Sequence, residues 1–140
     1  MNTNPVVSFP VSKDLSQLAI TNPTSYPSGA VHLAVKITST GIDLAGSTDR
    51  VIGTLLSANM VPAQAGQSAV GMGADVFLKA GLVHFVQLGA TSAAINSGDV
   101  LQIDAGNPGQ FIPATSGNQT CIAYQGAAVT FQGAIIRAIV

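Results

Sequence analysis

Few side chains here could do chemistry. The chain holds two histidines (His32, His84), one cysteine (Cys121), six aspartates and no glutamate. General acid–base catalysis needs a titratable group held near its substrate. Both histidines instead fall in the polar-facing slot of an alternating stretch, which predicts a surface or interface position. A metal site wants His, Cys or carboxylate ligands at ligand spacing, and His32, His84 and Cys121 lie far apart with no paired spacing. Gly66-Gln67-Ser68-Ala69-Val70-Gly71 has one residue too many for a nucleophile elbow. Gly71-Met72-Gly73-Ala74-Asp75-Val76 opens like a dinucleotide loop, but Val76 replaces the last glycine and a strand follows instead of a helix. Asp99, after Ser97-Gly98, and Asp104, before Ala105-Gly106, read as turn aspartates. Asn118-Gln119-Thr120 is a chance match to a glycosylation triplet. The sequence predicts no enzyme: no catalytic residue, no cofactor and no metal. Cys121 has no second cysteine to bond and sits among apolar neighbours, so it reads as a small buried hydrophobe.

The charge pattern narrows the partners. Charged residues make up 8% of the 140 residues, against about 25% in an ordinary soluble domain. A net charge of −1 gives little repulsion between copies, and near-neutral proteins associate. Either Ser, Thr, Asn and Gln solvate the surface, or much of it is buried in an assembly; low charge is the compositional mark of interface cores, so self-association is the expectation. The five basic residues (Lys13, Lys36, Arg50, Lys79, Arg137) are scattered in sequence, which leaves no basic stripe for phosphates and predicts no nucleic-acid partner. No apolar run reaches the ~18–20 residues of a spanning helix, so no membrane partner is expected. The first residues, MNTNPVVSFPVSKDL, lack the basic start and unbroken apolar stretch of a secretory signal.

The elements that must position these groups read as strands. Val, Ile, Thr, Ser, Gly, Asn and Gln replace the long charged helix formers. Val31-His32-Leu33-Ala34-Val35-Lys36-Ile37-Thr38 alternates with period two. Strands are also predicted over 50–56, 75–79, 82–88, 99–103, 110–112, 120–124 and 133–140. Thr40-Gly41 reads as a turn, 44–48 as a loop and 63–73 as a long flexible loop. Ala80-Gly81 is predicted to close a hairpin between its flanking strands, and Ala105 to Gly109 to fold 110–112 back on 99–103. The fold class is all-β: a small single-domain β-barrel or sandwich, β-tulip-like, over residues 29–140. Val51-Ile52-Gly53-Thr54 faintly echoes Cys121-Ile122-Ala123-Tyr124, which is not enough to predict a repeat.

Residues 1–28 read as an extended N-terminal arm. Pro5, Pro10, Pro23 and Pro27 break any continuous helix or central strand, with room for one short helix capped by Ser12 that sets Leu15, Leu18 and Ala19 on one face. Two readings stand for it: a tail lying on its own domain, or an arm that is mobile until it docks on a neighbouring subunit or another protein. Its contact residues would be Val7, Phe9, Leu15 and Leu18.

One stretch carries a resemblance: Ile95-Asn96-Ser97-Gly98-Asp99-Val100-Leu101, then the Gly106-Asn107-Pro108-Gly109 turn with Phe111, then Cys121-Ile122-Ala123-Tyr124 and the apolar last strand. It resembles the capsid decoration (cement) proteins of tailed phages over roughly residues 50–140. Gly98, Asp99 and Val100 match a strand start of that family, and Cys121, Ile122 and Ala123 approximate its later strand, although Ala123 with Tyr124 departs from the usual order. The resemblance implies a virion structural protein: a homotrimer on the outer capsid surface that bridges subunits of the major capsid protein, with an N-terminal segment engaged in binding. Other readings are a head-fibre base or tail component, and a carbohydrate-binding β-module. The last is poorly equipped with no Trp and only Tyr26 and Tyr124 as tyrosines.

Overall fold

The computed structural model describes residues 5–57, 66–91, 93–115 and 120–140. Within them the chain is all-β, with two antiparallel sheets of five strands and one short helix. The first sheet contains β1 (Val6–Pro10), β2 (Ala34–Thr38), β3 (Gly41–Leu44), β4 (Gly53–Leu55) and β5 (Gly73–Leu78) in the order β1-β5-β4-β2-β3. The second contains β6 (Val83–Gln87), β7 (Val100–Ile103), β8 (Phe111–Pro113), β9 (Cys121–Ala123) and β10 (Ile135–Ile139) in the order β6-β10-β9-β7-β8. The predicted fold class holds.

Each sheet curls until its edge strands meet. In the first, Val11 forms a parallel bridge with Ile42, and the Ser12 N–H and hydroxyl both donate to the Ile42 carbonyl at 2.9 Å. In the second, Leu88 forms a parallel bridge with Phe111, and the Gly89 N–H donates to the Phe111 carbonyl at 2.8 Å. Curling removes the open edges on which an exposed sheet would pair with other chains. One core gathers Val11, Leu15, Leu33, Val35, Ile42, Leu55 and Val76. The other gathers Val86, Leu88, Leu101, Ile103, Phe111 and Ile136, together with Ala34, Ala45 and Val51 from the first sheet's half. The two halves thus share a packed boundary.

The halves are two copies of one unit. The strand order is the same when β6 to β10 are matched to β1 to β5, and the registers agree pair by pair. Val35 faces Leu44 and Gly53 as Leu101 faces Pro113 and Cys121. Thr54 faces Phe77 as Ile122 faces Ile139, and Val6 and Val7 face Phe77 and Val76 as Val83 and His84 face Ile139 and Ala138. Hydrogen bonds outside the ladders repeat as well. The Ala45 N–H donates to Ala34 at 2.9 Å as Ala114 donates to Val100 at 2.9 Å, and Leu56 donates to Asp75 as Tyr124 does to Arg137, both at 2.9 Å. The His32 N–H reaches Leu55, and that of Gly98 reaches Ala123, both at 2.7 Å. Even the backbone there matches: Gly98 has φ 92° and His32 φ 59°, a left-handed conformation that suits glycine and strains histidine. The faint echo between Val51–Thr54 and Cys121–Tyr124 therefore marks equivalent strands, two residues out of register.

Several expectations are corrected. Residues 5–28 are not an arm beside a domain that starts at 29. β1 pairs along its length with β5, Val11 and Leu15 are fully buried, and Tyr26 is buried with its hydroxyl donating to the Pro108 carbonyl at 2.9 Å. Pro5 lies outside β1 and Pro10 at its end, where a missing N–H is tolerated. The short helix, α1 (Leu18–Thr21), has no side-chain cap; Ser12 serves the bridge to Ile42 instead. Gly41–Leu44 is a strand, paired with β2. Ala80-Gly81 closes no hairpin, because β5 pairs with β1 and β4 while β6 pairs with β10. That turn joins the two units. The predicted 110–112 hairpin onto 99–103 is present as β7–β8. Residues 63–65 of the predicted loop, and Asn118 with Gln119, lie outside the described residues.

Candidate functional site

The boundary between the units holds the buried polar groups. His84 is 1% exposed. Its ring stacks on Phe77 with centroids 4.0 Å apart and planes at 14°, and its Nδ1 lies 2.8 Å from the Thr54 hydroxyl. Nε2 is buried with no hydrogen-bond partner among the described residues. Burial holds this imidazole below the ordinary histidine range, with the Leu78 backbone acting in the opposite direction. Of the expected surface or interface position for His84, the polar-facing slot and the surface are wrong, since it is buried at the boundary between the units, on the same strand parity as the buried Val86 and Leu88. His32 is half-buried against the ring of Phe85 at 5.5 Å, and burial lowers its pKa too.

A chain of glutamine amides continues the boundary. Gln87 and Gln110 are fully buried. Gln87 Nε2 donates to the carbonyls of Gly29 (3.2 Å) and Val31 (3.0 Å). Gln110 Nε2 donates to Gln87 Oε1 (2.6 Å) and to the Ser25 carbonyl (2.7 Å), and Gln132 Nε2 donates to Gln110 Oε1 (3.1 Å). Buried amides cost free energy unless paired; here they pair across units and fix how one sits on the other.

Among the described residues no such contact covers the same positions in the other copy. Ile122, equivalent to Thr54, is 46% exposed, and Ile139, equivalent to Phe77, is 37% exposed. Ile139 is paired with Val83 on one side and Ile122 on the other, and Ile122 with Val100. Val83 is exposed as well, and Tyr124 lies beyond with the Arg137 guanidinium 5.9 Å from its ring centre. An apolar face thus runs across four strands of the second sheet. A soluble monomer rarely leaves a contiguous face of this kind in water.

Of the four contact residues expected from sequence, the structure leaves one free. Val7, equivalent to His84, is 37% exposed. Leu15 is 0% exposed inside the first core and cannot contact a partner. Phe9 and Leu18 are half-buried against that same core. Cys121 is buried, as read from sequence, and burial pushes its thiol up to about 12. Among the described residues no three His, Cys, Asp or Glu side chains group to hold a metal. Asp104 organises a turn, accepting from the backbone N–H of Ala90 (3.1 Å) and Gly106 (2.9 Å) and from Asn107 Nδ2 (2.8 Å); Asp99 likewise accepts from the Asn96 N–H at 2.7 Å.

The basic residues are less scattered than the sequence suggests. Lys36, Arg50 and Lys79 line one cleft of about 770 Å³ with Ile37, Ile52 and Leu78. Asp49 pairs with Lys36 at 2.7 Å, which raises the lysine pKa and lowers that of the carboxylate. No family model, no curated protein and no solved structure matches the chain.

Proposed function

We propose that this chain is a capsid decoration protein of a tailed phage, a homotrimer that sits on the outer surface of the virion and strengthens the lattice of the major capsid protein. The observation that supports it is the pair of exposed apolar sites, the Ile122/Ile139 face and Val7. Such a protein works by contact alone. It binds the assembled lattice better than free subunits, and that difference in affinity stabilises the lattice by linkage. Several weak contacts per oligomer then add through effective concentration. The resemblance over residues 50–140 points the same way.

The test is reconstitution with capsids assembled from a major capsid protein encoded beside this gene. The chain should cosediment with them to a saturating ratio, and the loaded capsids should withstand a higher temperature before they open. Capsids that bind none of it, or that open at an unchanged temperature when saturated, would reject the reading.

A further inference from the structure

Each unit is built to cover, and to be covered by, another unit of the same kind. Inside the chain this happens once: His84 of the second unit sits on Thr54 and Phe77 of the first. The relation is head-to-tail, so it leaves one unused element at each end. The second unit keeps an open copy of the covered face, with Val100, Ile122 and Ile139 in place of Ala34, Thr54 and Phe77. The first unit keeps an open copy of the covering strand, with Val7 and Pro10 in place of His84 and Gln87.

The substitutions between the used and unused sites are matched. Across the internal boundary, Thr54 bonds His84 and Gln87 bonds the Gly29 and Val31 carbonyls. In the unused sites Ile122 replaces Thr54, Val7 replaces His84 and Pro10 replaces Gln87. The bonded pair Thr54 and His84, with Gln87 beside it, has become apolar on both sides at once, while the apolar members Ala34 and Phe77 stay apolar as Val100 and Ile139; Gln110, the other amide of the internal junction, has Gly41 at the equivalent place. A junction within one chain is held by connectivity and can use polar pairs to fix its geometry. A junction between chains must offset the lost freedom of association, and apolar area does that.

We infer that the occupant of the Ile122/Ile139 face is a second copy of this chain, which lays the Val7 end of its first unit there and so repeats the internal boundary between molecules. A head-to-tail contact either closes a ring or runs on as a filament. Here it closes, and for the trimer proposed above the ring holds six pseudo-equivalent units around one axis. The contact itself does not depend on what the ring binds, since it is tested in solution with no capsid present.

Two charge substitutions test it, Val7→Asp and Ile122→Asp, both at exposed positions, with circular dichroism as the control that each variant keeps the native spectrum. Light scattering coupled to size exclusion should give one discrete oligomer for the unaltered chain between 1 and 100 µM (about the range that brackets micromolar contacts). Each variant alone should be a monomer, because every copy lacks one half of the junction. Mixed one to one, they should form a dimer and nothing larger, since the intact Ile122 face of one variant meets the intact Val7 end of the other. An unaltered chain that stays monomeric, a mass that grows without limit, an oligomer that survives both substitutions, or variants that ignore each other would each overturn the inference.

Discussion

The two units share a topology and a hydrogen-bond register but differ in what surrounds them. The first unit carries a long connection, residues 11–33, which holds α1 and sends Leu15 and Tyr26 into its core. The second connects β6 to β7 through residues 88–99 and fills its core partly with Ala34, Ala45 and Val51 of its neighbour. The first unit's Thr54 and Phe77 lie under His84; the second unit's Ile122 and Ile139 are exposed. The register is set by the ladders and by inward alternation, and the side chains at the boundary follow from what each copy must meet.

The two units differ most in how far each depends on its opening strand. Removing residues 2–20 deletes β1, the Val11–Ile42 closure and the buried Leu15. Each buried aliphatic side chain is worth about 1.5–3 kcal/mol, against a total stability of about 5–15 kcal/mol for a domain. The truncated chain should lose cooperative unfolding in its first unit, seen as collapsed amide dispersion in NMR spectra for residues 34–78. A truncated chain that melts like the full one would show that β1 is dispensable after all.

A smaller effect sharpens the comparison at one position. Gly53 and Cys121 are equivalent, yet only the second carries a side chain. At Gly53 a Cβ would overlap the Phe77 carbonyl oxygen, a backbone group that cannot step aside. Gly53→Ala should therefore cost about 1–3 kcal/mol or somewhat more, as overpacking does. Cys121→Ala only trims a buried group and should cost about 1 kcal/mol. Urea denaturation of the two variants measures the difference, and equal losses would mean that β4 and β5 can separate to admit a methyl.

Much of the fold was legible because strands advertise themselves by alternation and turns by glycine. Leu33 and Val35 point inward on the face that the alternation of residues 31–38 makes apolar, while Ile37, next on that face, ends exposed where the strand runs out to its turn. β1 was hidden by its flanking prolines, and β3 by a length of four residues beside a turn. The duplication was hidden because connections of unequal length change the separation between equivalent residues from strand to strand, while the residues themselves are seldom identical. What repeats is register, which sequence expresses weakly. The apolar face was illegible for a related reason. Ile122 and Ile139 become neighbours only through pairing, and nothing along the chain says which face of a strand a second unit will cover.

The finest test exchanges the two kinds of junction. Thr54→Ile with His84→Val rewrites the internal boundary in the apolar residues of the open sites. Either change alone strands a buried polar group, at about 1–3 kcal/mol. Together they remove both partners, so the double variant should lose less than the two single losses summed, by about 0.5–3 kcal/mol, the range of coupling for groups in contact. The double variant should also respond less to acid. Burial lowers the folded pKa of His84, so as pH falls below about 6.5 the unfolded chain takes up a proton that the folded chain refuses. Stability contributed by this histidine is complete above that value and is lost as pH drops toward the folded pKa, with a slope of at most about 1.4 kcal/mol per pH unit. His32 is shifted in the same direction and keeps its share in every variant. Denaturation midpoints between pH 7 and pH 5 (about the span of histidine titration) should therefore fall more steeply for the unaltered chain than for the double variant. Parallel slopes would mean that His84 takes its proton in the folded chain as readily as in the unfolded one, which a ring stacked on Phe77 with its Nε2 buried and unpartnered should not do.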